Sequence, residues 1–256
     1  KKPSGVWIMA YTTIDDPGIY FNTKLYTGTG SAGQAQTGVG FQPDLVWTKS
    51  RSNTYPHQLY DVIRGVTKRI QSDDSSAETT QANGLTAFGT DGFTVGDASG
   101  TGVNGATYVA WNWKAGTSFT NDASGTGIGT IDSTGSFNNT SGFSIVSYSG
   151  TGSAGTIKHG LSTVPKMIIV KSTSHVENWT VYHSSLGGGG YIYINTTAAA
   201  GSGNTSIWNG TNPTSSVFSV GTDGASNGSG KDYVGYCFAE KQGYSKFGSY
   251  TGNGNA

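Results

Sequence analysis

Apolar and polar positions alternate with a period of two through much of the chain. In Tyr108-Val-Ala-Trp-Asn-Trp113 one face carries Val109, Trp111 and Trp113, and in Tyr233-Val-Gly-Tyr-Cys-Phe238 the matching face carries Val234, Tyr236 and Phe238. Successive side chains of a strand point to opposite sides, so this alternation predicts half-buried strands whose aromatic face makes the core. Asp44-Leu-Val-Trp-Thr-Lys49 and Lys166-Met-Ile-Ile-Val-Lys171 are nearly continuous apolar runs, each entered through a proline, Pro43 or Pro165. Proline offers no ladder donor and marks a strand's first residue, here that of a central strand. Residues 57–60 with 67–71, and 179–183 with 191–195, read as hairpins across Gly65 and Gly187. Only 61–70 has a helical alternative.

The pattern occurs twice. Shifting the chain by 122 residues lays Tyr26 on Tyr148, Gly38 on Gly160, Pro43 on Pro165, Lys49 on Lys171, Tyr60 on Tyr182 and Gly65 on Gly187. Three inserted residues later the shift is 125, placing Phe93-Thr-Val-Gly96 on Phe218-Ser-Val-Gly221 and 108–113 on 233–238. Self-similarity at a fixed offset is the signature of a repeated unit. The expected fold is therefore all-β: two tandem, duplicated antiparallel β-sandwiches of jelly-roll-like form, at 22–115 and 143–240, with Gly/Ser/Thr/Asn-rich loops. Residues 1–21 read as an N-terminal strand or arm. Residues 116–142 read as a linker, in which Phe119, Ile128 and Ile131 are placed to dock on a neighbour. Residues 241–256 read as the start of a further copy or an assembly strand.

Each copy opens with a glycine-rich string, Tyr26-Thr-Gly-Thr-Gly-Ser-Ala-Gly33 and Tyr148-Ser-Gly-Thr-Gly-Ser-Ala-Gly155. Both contain the G-x-G-x-x-G spacing that cradles a dinucleotide pyrophosphate where a helix follows. Here QAQTGVGFQPDLVW and TIKHGLSTVPKMIIV follow, each broken by Gly and then Pro. The strings read instead as hairpin turns in which glycine supplies positive φ.

Composition narrows the function classes. Forty-one glycines and 12% charged residues resemble a disordered chain, but 12% aromatics and recurrent apolar pairs give it a core. Fifteen basic and fifteen acidic side chains cancel, which leaves no electrostatic footprint for nucleic acid. Apolar runs are too short to cross a membrane as a helix, and the opening Lys1-Lys2-Pro3 lacks the apolar core of a signal peptide, so no membrane insertion is expected. Cys237 is the single cysteine and sits in an apolar strand pattern, as a buried, inert thiol would.

Chemistry-bearing residues form no repeated constellation. His57, His159, His175 and His183 lack partners at metal-ligand spacing. Gly224-Ala-Ser226-Asn-Gly228 matches G-x-S-x-G but has no helix leaving the serine, and it reads as a polar loop. No carboxylate pair is placed equivalently in the two copies, so neither a catalytic residue nor a cofactor is expected and a glycan-depolymerising spike is the less favoured alternative. Asp97, Asn104, Asp223 and Asp232 lie in loops of a composition that supplies oxygen ligands to Ca²⁺, and turns demand the same residues. Trp208, Trp179, Tyr55 and Tyr191 are candidates for stacking on sugar rings, with Trp208 in the most loop-like surroundings.

The run YTGTGSA…TGVGFQPDLVWTKSRS…HQLYDVIRG, the elements DGFTVG and YVAWNWKAG, and KHGLSTVPKMIIVK, NWTVYH and YVGYCFAEKQGYSKFGSYTGNG in the second copy resemble a β-rich repeat domain of unknown function. That domain occurs in virion proteins of tailed bacteriophages. The resemblance covers both copies and implies a virion, extracellular location in a tail fibre or appendage, with other virion proteins as partners. It implies no catalytic residues. Two functions stay open: a non-enzymatic structural and adhesive module, and a carbohydrate-binding module recognising host-surface glycans. The ends bear on the first. Residues 246–251 resemble an opening strand, and 6–11 resemble the entry into a central one, so Trp7, Phe247 and Tyr250 are expected to join chains into a homo-oligomer or repeating assembly by strand addition.

Overall fold

The computed structural model describes residues 12–254. After a 3-10 turn at Pro17–Ile19, the first half contains β1 (Phe21–Thr27), β2 (Gln34–Thr37), β3 (Leu45–Ser50), β4 (Gln58–Asp61), β5 (Lys68–Arg69), β6 (Thr79–Thr80), β7 (Leu85–Gly89), β8 (Gly92–Val95) and β9 (Thr107–Trp113). Then come β10 (Thr117–Asn121), a one-turn helix α1 (Ala123–Thr126) and β11 (Ser133–Asn138). The second half contains β12 (Phe143–Ser149), β13 (Gly155–Lys158), β14 (Pro165–Ser172), β15 (Thr180–His183), β16 (Ile192–Tyr193), β17 (Val217–Val220), α2 (Gly224–Asn227) and β18 (Asp232–Ala239). The fold is all-β, and its sheets are antiparallel. One has the order β1-β9-β3-β4, another β10-β11-β12-β18-β14-β15-β16, and β2-β8-β7, β13-β17 and β5-β6 form smaller ones.

The order β1-β9-β3-β4 reappears as β12-β18-β14-β15, and the pair β2-β8 as β13-β17. In each half the large sheet packs over the small one. Val46, Tyr60 and Ala110 meet Phe93, Val95 and Leu85 in the first half. Val146, Ile168, Val170 and Cys237 meet Ile157, Phe218 and Val220 in the second. The face expected to make this core, Val109-Trp111-Trp113 with Val234-Tyr236-Phe238, points the other way. Tyr108, Ala110 and Asn112 are the buried set of β9, while Leu45, Leu59 and Trp113 pack against Phe143, Ile145, Ile169, Val234, Tyr236 and Phe238. The two large sheets thus lie face to face, and a strand of alternating apolar character is apolar on both sides for two different reasons.

The glycine-rich strings are not hairpins. Each carries the chain from a large sheet to the small one over it, from β1 to β2 and from β12 to β13. Gly28 crosses so close to Gly102 and Val103, and Gly150 so close to Asn227 and Gly228, that a Cβ would overlap their backbone. Two stacked tyrosines hold those crossed loops. Tyr26 lies on Tyr108 at 5.2 Å, and Tyr148 on Tyr233 at 5.1 Å. Tyr26 donates to Thr101 O and Tyr148 to Ser226 O. Tyr108 donates to Ser99 O and accepts from Val103 N, and Tyr233 donates to Gly224 O and accepts from Gly228 N.

The stretch 116–142 is sheet rather than linker. Its polar composition is that of an edge: β10 and β11 end the seven-stranded sheet, where one side meets water. Phe119 and Phe137 pack against the second core, and Ile131 is buried in it. Residues 241–254 form no strand. Residues 246–251 run on from a turn closed between Lys241 and Ser245, and 6–11 lie outside the described residues.

Two measurements check this packing. Replacing Tyr108 or Tyr233 by Phe removes a hydroxyl that both donates and accepts, and each change is expected to cost about 1–2 kcal/mol in urea denaturation; a loss in only one half would contradict the matched role. His159 is fully buried, accepts from Leu161 N on Nδ1 and approaches Thr214 O with Nε2 at 3.2 Å. Burial pulls its pKa from 6.5 down to about 4. The unfolded chain therefore takes up this proton first, and stability held above pH 6.5 should fall as pH drops toward 4, by on the order of 3 kcal/mol. A His159→Gln variant should show a correspondingly flatter pH profile.

Candidate functional site: the junction between the sheets and its aromatic margin

The face-to-face sheets bury a charge. Asp61, the last residue of β4, is fully buried. Its Oδ1 accepts from Ile63 N and Arg64 N, at 3.1 and 2.9 Å. Its Oδ2 accepts from Arg64 Nε at 2.6 Å and, from the other half, the Tyr236 hydroxyl at 2.7 Å. Arg64 spends its remaining donors on Lys68 O, Leu59 O and Glu78. Burial alone would lower the pKa of Arg64, but Asp61, with Tyr236 and Glu78, more than reverses it, so the guanidinium stays charged. Burial raises the Tyr236 hydroxyl far above its usual value, and the Asp61 charge adds to this.

Residues 71–78 continue the seam. Trp179 Nε1 donates to Gln71 O at 2.6 Å, and Glu177 N and the buried Lys171 Nζ both donate to Ser75 O. Glu78 N returns a bond to Thr173 O. Burial lowers Lys171 to about 8, opposed by Asp74 and Glu177. Lys49, its counterpart, reaches Ser50 O and Asn53 O and is only half-buried.

At its margin the junction opens into a cavity of about 440 Å³ lined by Phe21, Trp113, Phe143, Met167, Phe238 and Phe247, among others. The aromatic walls interlock: Trp113 lies 6.2 Å from Phe143 and 6.3 Å from Phe238, and Phe247 lies 6.3 Å from Phe238. Trp47, which packs at the same margin, and Trp111 stay half-buried with rings 6.2 Å apart at 80°. Trp47 Nε1 donates to His57 Nδ1 at 2.9 Å, and burial lowers the pKa of His57. That bond leaves Nε2 of the neutral ring to carry the proton.

The residues singled out in the sequence do not converge. Trp208 is 2% exposed, with its ring against Tyr182, and Trp179 is fully buried in the seam, so neither can stack on a sugar. The loop-like sequence around Trp208 hid a core position. Tyr55 is half-buried, as is Tyr191, which packs on Tyr193 at 5.1 Å. Asp97 accepts from Asn83 at 2.6 Å, Asp232 accepts from Ser149 at 2.6 Å, and Asp223 caps α2 through Ala225 N, while Asn104 is exposed. Among the described residues no three His, Cys, Asp or Glu side chains are grouped for a metal. Ser226 of the G-x-S-x-G match is buried, with its hydroxyl donated to Ile207 O. Cys237 is buried, its thiol pushed up to about 12. Phe247 docks on Phe238, Tyr250 is 95% exposed, and Trp7 lies outside the described residues.

Asp61 and Arg64 are not among the positions shared by both copies: their counterparts are His183 and Leu186. The signal available was a carboxylate and a guanidinium three residues apart inside an otherwise apolar run. Removing the carboxylate leaves Arg64 buried without its main partner, so Asp61→Ala should cost about 3–5 kcal/mol. Tyr236→Phe should cost about 1–2 kcal/mol, and the two losses measured by chemical denaturation should not add, because they remove one shared bond.

No curated protein and no solved structure matches the chain. Residues 16–256 match the family described as Domain of unknown function (DUF7483). With nearly its whole length inside that match, the protein belongs to this family.

Proposed function

We propose that the protein is a non-enzymatic structural and adhesive module of a virion surface, of the tail-fibre or appendage kind, built from two tandem jelly-roll-like copies of one β-sandwich. It acts by self-assembly and attachment. The virion setting rests on the motif resemblance, and the observation that carries self-assembly is the edge of β1. In the second half the matching strand β12 pairs outward with β11, and β11 with β10. Among the described residues β1 pairs only with β9. Lys114 N donates to Tyr20 O and Gly28 N to Ala106 O, so in this register Asn22, Lys24 and Tyr26 point their amides at β9. Phe21, Leu25 and Thr27 therefore point theirs outward, and Leu25 is 56% exposed. An edge of this kind accepts an added strand.

A second reading, glycan binding, is favoured by the half-buried Trp47 and Trp111 beside His57, since an indole face stacks on a sugar ring while an imidazole N–H meets a hydroxyl. Catalysis has less support, because the buried ionic groups serve the seam between the halves.

Light scattering on the purified chain tests the first reading: species heavier than the 26.5 kDa chain are expected at high concentration, and a chain that stays monomeric contradicts it. On a glycan array, binding abolished by Trp111→Ala would establish the second reading. Shortening of a polysaccharide by the protein, stopped by a single Asp or Glu substitution, would overturn the non-enzymatic assignment.

A further inference from the structure

His57 makes a bond that cannot survive its own protonation. The Trp47 indole has an N–H and no lone pair to offer, so its Nε1, 2.9 Å from His57 Nδ1, can only donate. The imidazole nitrogen must then accept, which requires the neutral ring. A proton on Nδ1 sets two N–H groups against each other and breaks the bond. Both residues are only half-buried, so water can deliver that proton.

What the bond holds is the aromatic margin of the junction. Trp47 lines the cavity, and its ring makes T-shaped contacts with His57 at 5.9 Å and with Trp111 at 6.2 Å. The charged groups facing His57 are Asp73, on the loop 71–78, and Lys49, on β3. On this face of the sheet β9 presents only Thr107, Val109, Trp111 and Trp113, and β4 presents Asp61, which Arg64 and Tyr236 hold. Burial keeps the pKa of His57 below its ordinary 6.5, Asp73 opposes this, and Lys49 adds to it. The exposed Asp73 attracts the imidazolium once it forms. We propose that the Trp47–His57 bond is an acid-released latch: the neutral imidazole fixes the indole against Trp111, and protonation of His57 frees the Trp47 ring and reshapes the wall of the cavity. Histidine is the side chain whose charge changes in mild acid, and a bond made to only one of its states converts that change into movement. The latch belongs to the first half alone, since the counterparts are Ile169 and Trp179, and Trp179 gives its Nε1 to Gln71 O. It depends on neither reading of the function.

The test is nuclear magnetic resonance of the isotope-labelled full chain between about pH 5 and 8, a range that keeps the buried His159, with its pKa of about 4, neutral. The Trp47 indole N–H signal is assigned by its loss in Trp47→Phe. It should shift with a single midpoint below pH 6.5 that coincides with the His57 ring titration, and the Trp47–Trp111 ring cross-relaxation should fade on the acid side. His57→Gln supplies an amide oxygen that accepts the indole N–H at every pH, so both signals should stay flat in that variant. An indole signal indifferent to pH, or one still shifting in His57→Gln, overturns the latch. So does a shift with unchanged Trp47–Trp111 cross-relaxation, because the bond would then titrate without moving the ring. Should His57→Gln fail to fold, the unaltered chain decides: separate midpoints for Trp47 and His57 contradict the proposal.

Discussion

A carboxylate with no access to water persists only when its lone pairs are filled, and at Asp61 the donors come from both halves of the chain. Arg64 and two backbone amides belong to the first half, and the Tyr236 hydroxyl to the second. The bond between Asp61 and Tyr236 allows one register of the two large sheets, and the apolar rows around it then follow. Leu45, Leu59 and Trp113 find Phe143, Ile169 and Phe238, and the strand-end loop 71–78 reaches Trp179, Lys171 and Glu177. Apolar burial supplies the driving force over this face, and the ionic cluster sets where the faces stop sliding.

Below that seam each half solves the same local problem. A chain that must pass from one layer to the next has to cross the loop leading into the central strand. Gly28 and Gly150 permit the close crossing, and the stacked tyrosines bind it with equivalent bonds. The halves differ where their surroundings differ. β12 is flanked by β11 and β10, while the segment before β1 turns away at Pro17–Ile19, and Thr12 lies against Gly243. Lys171 is fully buried and Lys49 only half-buried. Repeated sequence thus gave repeated layers, and the junction joins equivalent strands of the two copies through residues that differ between them, such as Asp61 and Arg64 against His183 and Leu186.

The legible part of the fold was what a local pattern can encode. Alternation predicted β9 and β18, the nearly continuous apolar runs after Pro43 and Pro165 predicted β3 and β14, and the offset matched them in pairs. Which face of β9 looks inward was not legible, because Trp113 is apolar for the sake of the facing sheet while Trp111 packs on Trp47, and alternation carries no label for the partner. Residues 116–142 hid two strands behind the polar composition of an edge. Trp208 hid a core position behind turn residues, since Asn209, Gly210 and Pro213 describe the backbone beside it and not the depth of its ring.

Calorimetric unfolding of the whole chain tests the central claim, that the halves are joined into one unit through the buried faces. The account predicts a single transition whose van't Hoff enthalpy equals the calorimetric one, with the fluorescence of Trp179 in the seam changing at the same temperature. Two separate transitions, the lower one carrying the Trp179 change while one half stays folded, would contradict it.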